Sequence, residues 1–225
     1  HGDNNFASAS PTTDGERLYC WFGSAGLFCY DLNGKKLWER KLGQVKMGAY
    51  LGEGCSPVIH DGKLVIVRDH QRQSTIEVLN AKTGELVWKK DLGDMQVKHG
   101  HGEGASPVLH LNTLVINWDH EGDSFIVAMD KRTGKQLWRK PRNEPTGWST
   151  PIIVHRGQTT QLIVSATTAV RSYDLTTGKV LWHIGGLPHN VVASPVYGNG
   201  IVYAGASYEK RTMHAIKLAG AKGDL

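Results

Sequence analysis

Tryptophan returns along this chain on a fixed beat. A Gly-x-x-[Leu/Val]-Trp element occurs four times, Gly34 to Trp38, Gly84 to Trp88, Gly134 to Trp138 and Gly178 to Trp182. A [Ser/Thr]-Pro pair occurs five times, ending at Pro11, Pro57, Pro107, Pro151 and Pro195. From Pro57 to Trp88, Pro107 to Trp138 and Pro151 to Trp182 the distance is 31 residues each time, and the whole unit recurs every 44 to 50 residues. Such a unit cannot bury its apolar face alone, so it must stack on copies of itself.

Inside one period the pattern is that of strands. "KLVIV", "STIEVLN" and "ELVWKKDL" are short and rich in β-branched residues, and the turn signals "HDGK", "QRQS" and "AKTG" punctuate them. No segment carries a convincing helical period. Four short antiparallel strands in roughly 40 to 50 residues make a β-propeller blade, so the expected class is all-β. The residue two before each proline is small (Ala9, Cys55, Ala105, Ser149, Ala193), as expected where blades converge. Proline at the start of that innermost strand costs no ladder hydrogen bond. The glycine supplies the positive φ of a tight turn, and the tryptophan is suited to packing between blades.

"VLNAKTGELVWKK", "AMDKRTGKQLWRK" and "SYDLTTGKVLW" resemble the pyrroloquinoline-quinone-type repeat, with its Ala-x-Asp-x-x-Thr-Gly-x-x-x-Trp core. The resemblance runs over nearly the whole chain and implies a quinoprotein-like propeller, residues 1–225, with blades at about 7–43, 53–93, 103–142, 147–186 and 191–225. The last repeat passes through "ASPVYG", "GIVYAGAS" and "TMHAIKL" with no Gly-x-x-x-Trp after it. Propellers of this kind usually have eight blades, so the expectation is four and a half to five blades of an eight-bladed ring, with self-association through the incomplete ends. The chain opens at His1 without methionine or a signal-like segment, and the family resemblance implies a periplasmic or otherwise exported protein.

The net charge of +5 and pI near 9.1 raise the question of an anionic partner. The basic residues gather after tryptophan, in "WERK", "WKKD" and "WRKPR", where charge keeps an exposed strand edge from pairing with another molecule. No nucleic-acid-binding motif accompanies them, so no nucleic-acid partner is expected. No apolar run reaches membrane-spanning length, so no membrane-spanning segment is expected either. Cys20, Cys29 and Cys55 give no disulfide framework. A hairpin of residues 17–23 and 27–31 around Ser24-Ala25 would set Cys20 opposite Cys29, as a cross-strand disulfide or as two buried thiols.

The stretch "QVKHGHGEGASPV" looks chemical, with His99, His101 and Glu103 at alternate positions. In an extended chain the two imidazoles would point the same way. The blade before reads "QVKMGAYLGEGCSPV", which keeps the frame and loses the histidines. Strand direction puts the linkers between blades on the same face as the loops between second and third strands, and so gathers Glu53, Asp69, His70, His99, His101, Glu103, Asp119 and His120 as candidate ligand-binding residues. His suits zinc or copper and carboxylates suit calcium. The opposing reading is a linker, its likeness to its neighbour recording a duplication; no metal site and no catalytic residue is assigned.

The quinone-dependent dehydrogenases of this family carry an adjacent cysteine pair and an extended tryptophan motif. Neither occurs here, so pyrroloquinoline quinone is not expected and no cofactor is assigned. No G-x-S-x-G or phosphate-cradling loop is present. The expected function is a non-catalytic scaffold that binds a protein or peptide on its loop-bearing face. The alternative is a metal-binding or quinone-dependent oxidoreductase domain using that face.

Overall fold

The computed structural model describes residues 7–45, 53–69, 72–102 and 104–225. The described residues form strands and two 3-10 turns, Gly23–Ala25 and Lys98–Gly100. The first blade is β1 to β4 (Thr12–Thr13, Arg17–Trp21, Leu27–Asp31, Lys36–Arg40) and the second is β5 to β8 (Val58–His60, Lys63–Arg68, Ser74–Asn80, Leu86–Gly93). The third is β9 to β12 (Val108–His110, Thr113–Trp118, Phe125–Asp130, Gln136–Pro141), and the fourth is β13 to β16 (Ile152–Arg156, Thr159–Val164, Ala169–Asp174, Val180–Gly185). The fifth has three strands, β17 to β19 (Val196–Gly198, Ile201–Ala206, Thr212–Lys217). Each is a meander in which consecutive strands are neighbours, the arrangement of β-propeller blades. The chain then leaves the fifth blade, and β20 (Gly223–Asp224) adds in parallel to β16 of the fourth.

By contacts the chain divides into two compact units, residues 1–114 with 130–135 and residues 115–129 with 136–225, the boundary running through the third blade. In the first unit Tyr19, Trp21, Leu27 and Cys29 pack with Leu64, Ile66 and Leu79. In the second, Ile163, Val170 and Trp182 pack with Val202, Ala204 and Ile216.

Two repeated devices join neighbouring blades. The first explains the Gly-to-Trp element. Trp38 Nε1 donates to the carbonyl of Ala81 at 3.2 Å, Trp88 Nε1 to Lys131 at 2.8 Å and Trp138 Nε1 to Leu175 at 2.9 Å. The turn glycine of the receiving blade lies flat on that indole: a Cβ on Gly84, Gly134 or Gly178 would stand 2.8, 3.0 or 2.7 Å from a ring carbon of Trp38, Trp88 or Trp138. Glycine is needed twice over, for its positive φ and for the indole above it. Trp138 and Trp182 are buried, and Trp38 and Trp88 are half-buried. Trp182 departs from the rule, its Nε1 donating to Gln161 Oε1 of its own blade at 3.0 Å. The carbonyl that would have received it, Leu218 O, accepts from Arg156 instead.

The second device explains why Ser or Thr precedes each proline. Ser10 N–H donates to Ser56 Oγ at 2.9 Å, Ser56 N–H to Ser106 Oγ at 2.9 Å, and Thr150 N–H to Ser194 Oγ at 3.0 Å. The hydroxyl of one blade thus satisfies a backbone donor of the blade before it, at the start of a strand where no ladder partner serves it.

The expected pairing of Cys20 with Cys29 is one residue out. Cys20 is opposite Phe28, and Cys29 is opposite Tyr19, because the connection Phe22–Gly26 closes on a 3-10 turn rather than on Ser24-Ala25 alone. None of the three cysteines is in a disulfide; Cys29 and Cys55 are buried and Cys20 is half-buried. Side chains alternate along a strand, so the one-residue slip sends the two thiols to opposite faces of the sheet.

Candidate functional site

The loops between second and third strands do meet the linkers between blades. At the end of β6, Arg68 reaches back to the linker that enters its blade, with Nη1 donating to Leu42 O at 2.6 Å and Nη2 to Gly43 O at 2.9 Å. Gln73 N–H donates to Asp94 Oδ1 on the linker that leaves it, at 2.9 Å. In the third blade Arg142, just after β12, clasps Asp119, with Nε to Oδ1 at 2.7 Å and Nη2 to Oδ2 at 2.9 Å.

Most of the candidate residues are absorbed by this bracing. Glu53 is half-buried, its side chain only 7% exposed, and accepts from Ser24 Oγ at 3.1 Å and Arg68 Nε at 3.4 Å; burial raises its pKa despite the guanidinium. Asp119 is buried and takes a further bond from Asn117 Nδ2 at 3.1 Å. His120 is buried with its ring 5.2 Å from that of Trp118, its Nδ1 accepts from Gly122 N–H at 3.0 Å, and burial lowers its pKa.

Asp69 holds the position of Asp119 without its cation. It is buried, Oδ2 lies 3.9 Å from Cys55 Sγ, and Oδ1 has no hydrogen-bond partner. Burial pushes its pKa up to about 8. A carboxyl so placed is held in its neutral form at neutral pH.

His99 and His101 are brought together, with ring centroids 5.3 Å apart and tilted by 39°. The reason is not the extended chain that the alternation suggests. His99 has φ +58 inside the 3-10 turn Lys98–Gly100, so the two exposed imidazoles stack across a turn. His70 and Glu103 lie outside the described residues. Among the described residues no three His, Cys, Asp or Glu side chains gather as they would around a metal ion.

The repeat pattern did not point to the charged network beyond Arg142. Arg142 Nη1 donates to Tyr173 Oη at 2.5 Å, and its pKa is raised because Asp119 and Tyr173 outweigh a burial that by itself would lower it. Glu144, also buried, accepts from Thr168 N–H at 2.8 Å, from the Thr168 hydroxyl and from Arg171. The signal was available in "PRNEPTGW", which has a cation where the preceding linker has an apolar residue: Arg142 stands four after Trp138, and Leu92 four after Trp88.

Blades of this order, the tryptophan-on-glycine interlock and the serine chain define a propeller of the pyrroloquinoline-quinone-like repeat type. The model of the family described as outer membrane protein assembly factor BamB matches residues 4–147, more than half of the chain, and the chain belongs to that family. Solved structures share the fold. BamB from Moraxella catarrhalis superposes with a TM-score of 0.64 at 17% identity, over 92% of this chain and 56% of that one. A europium-containing methanol dehydrogenase gives 0.70 at 11% identity, over 88% and 51%. The quinohemoprotein alcohol dehydrogenase from Comamonas testosteroni gives 0.64 at 13% identity, over 90% and 41%. This chain therefore spans between about two-fifths and three-fifths of the length of these structures. No curated protein sequence matches it.

Proposed function

We propose that the chain is a non-catalytic scaffold of an exported, periplasmic protein, which holds a protein or peptide partner against its loop-bearing face. One observation carries this reading. Glu53 in the one unit and the buried Asp119, His120 and Glu144 in the other are spent on bracing their own loops and linkers rather than held as open donors. The family description, which names an assembly factor, supports a protein partner. The loops that would meet it carry exposed His99 and His101 in the one unit and exposed Glu121 to Asp123 in the other. Loops on a stiff frame are where propellers and sandwiches place recognition.

The arrangement of these side chains favours the scaffold over a quinone-dependent enzyme. Asp119 has both oxygens on Arg142, Glu144 has both on Thr168 and Arg171, and the three cysteines lie apart in sequence, so no free carboxylate pair or adjacent thiols offer themselves. A photo-crosslinking residue at His99 or Asp123 tests the scaffold reading, with Lys36 on the outer strand β4 as control. The expected result is one discrete adduct from the loop positions, competed by unlabelled protein and absent from Lys36. Adducts equal at all three positions, or quinone-dependent alcohol oxidation by the purified chain, would overturn it.

A further inference from the structure

Lysine is almost never fully buried unless its charge is paired, and Lys131 is 0% exposed. It stands in the turn between β11 and β12, at the place that Ala81 holds in the second blade and Leu175 in the fourth, and all three accept an indole N–H from the blade before. The other two are apolar and buried. The Lys131 ammonium instead finds His60, at the end of β5 in the second blade: Nζ donates to Nδ1 at 2.5 Å and to the carbonyl of the same residue at 3.3 Å. An ammonium has no acceptor, so His60 receives it as a neutral ring with its own proton on Nε2. Both residues belong to the first unit.

The charges around the pair leave that ring as the main support of the ammonium. Asp61 Oδ2 is 3.7 Å from Lys131 Nζ, but its side chain is 78% exposed and water screens it. Asp130 and Arg132, which flank Lys131, pair with each other. On β6, Lys63 stands opposite His60 in register and adds a second cation. Of the strands beside β5, β1 is Thr12–Thr13 and carries no charge, and β9 has His110 at the place of His60. Histidine is the side chain that takes up a proton between about pH 8 and about pH 5. On His60 that proton removes the acceptor and sets a cation against the ammonium. The exposed imidazolium can turn into water. The buried ammonium can follow only if its turn opens, and an ion left inside without its partner is strongly destabilising.

We propose that the joint between the second and third blades is acid-sensitive: protonation of His60 releases the Lys131 ammonium and loosens the turn 130–135, while the joint between the first and second blades, which closes on Ala81, holds. The stability of this joint is complete where His60 is neutral and is lost as pH falls. Acid thereby opens one place in the frame instead of weakening the whole of it.

Hydrogen exchange of matched amides at about pH 7.5 and about pH 5, corrected for intrinsic rates, tests this. In the third blade Lys131 N–H donates to Asn112 O and Gly134 N–H to Asp130 O; in the second, Ala81 N–H donates to Gly62 O and Gly84 N–H to Asn80 O. All four amides belong to the first unit, so a pH effect on that unit as a whole moves both turns alike. On acidification the Lys131 and Gly134 amides are expected to lose about tenfold or more in protection relative to Ala81 and Gly84, the size set by one lost partner of a buried group. His60→Asn keeps an acceptor there that does not titrate, and Lys131→Leu copies the fourth blade; each is expected to abolish the relative change. His60 is exposed, so its variant decides alone if the lysine variant does not fold. Equal changes at both turns in the wild type, or a relative loss that survives in His60→Asn, overturn the proposal.

Discussion

The second and third blades share a frame to the residue and differ in what they do with one buried acid. Asp69 and Asp119 each follow the second strand, twelve residues after proline, and each is about 2% exposed. Asp119 is clasped by Arg142, while Asp69 faces a thiol and keeps an oxygen without a partner. The difference comes from outside the recurring elements. Four residues past tryptophan the third blade has Arg142, which folds back onto its own loop, and the second has Leu92. An ionised carboxylate in the interior is tolerable when a guanidinium shares its charge in bidentate geometry; without one the acid keeps its proton. The same letter at the same place is thus an ion-pair brace in one blade and a neutral acid in the next.

The largest effect should come from undoing the brace. Replacing Arg142 by Met leaves Asp119 buried and unpaired, and the expected loss is about 3–5 kcal/mol in denaturant unfolding. Adding Asp119→Leu to that variant should restore much of it, because an apolar pair leaves no stranded charge. If Arg142→Met costs under about 1 kcal/mol, the two blades do not differ in the way the geometry says.

Asp69 sharpens the comparison through pH. Its carboxyl titrates near 8 in the folded chain and near the ordinary aspartate value of about 3.8 when unfolded. Between those values the folded state holds more protons than the unfolded one, so stability falls as pH rises from about 4 to about 8, by at most about 1.4 kcal/mol per pH unit from this group. It is greatest below about 4 and lost through 8, the reverse of a salt-bridged aspartate. Asp69→Asn should remove that slope and leave neutral-pH stability no lower than wild type. Melting temperatures of both proteins at intervals from pH 4.5 to 8.5 make the check; parallel curves would refute the neutral acid.

Why the frame could be read from the sequence and the braces could not is a matter of periodicity. Tryptophan, glycine and Ser/Thr-Pro recur because successive junctions between blades reuse the same contacts, the indole of Trp182 excepted, so their spacing announces the fold even before the interlock is seen. Arg142, Glu144 and Arg171 are not repeated, and partners that meet once per fold leave no period. The histidines of "HGHGEG" misled in the opposite way. Alternation implies a shared direction in an extended chain, but the φ of +58 at His99 and of +65 at Gly100 after it turn the segment over. Cys20 and Cys29 were displaced by a single residue of loop length, the kind of shift that only the turn geometry decides.

The smallest difference between the two blades lies in the turn from first strand to second. The second blade makes it with Asp61 and Gly62 at φ +49 and +66, and the fifth with Asn199 and Gly200 at +51 and +78, all residues that tolerate the left-handed region. The third blade puts Leu111 there at φ +50, with its side chain 64% exposed. Leucine in that region crowds its Cβ against the following carbonyl, at a cost of about 1 kcal/mol, and so much exposure means that little burial offsets it. Leu111→Asn is therefore expected to stabilise the protein by about 1 kcal/mol, and Asp61→Leu to destabilise it by a similar amount. Paired denaturant titrations at one pH measure both. A Leu111→Asn variant less stable than wild type would mean that the exposed leucine is held by a contact worth more than its strain.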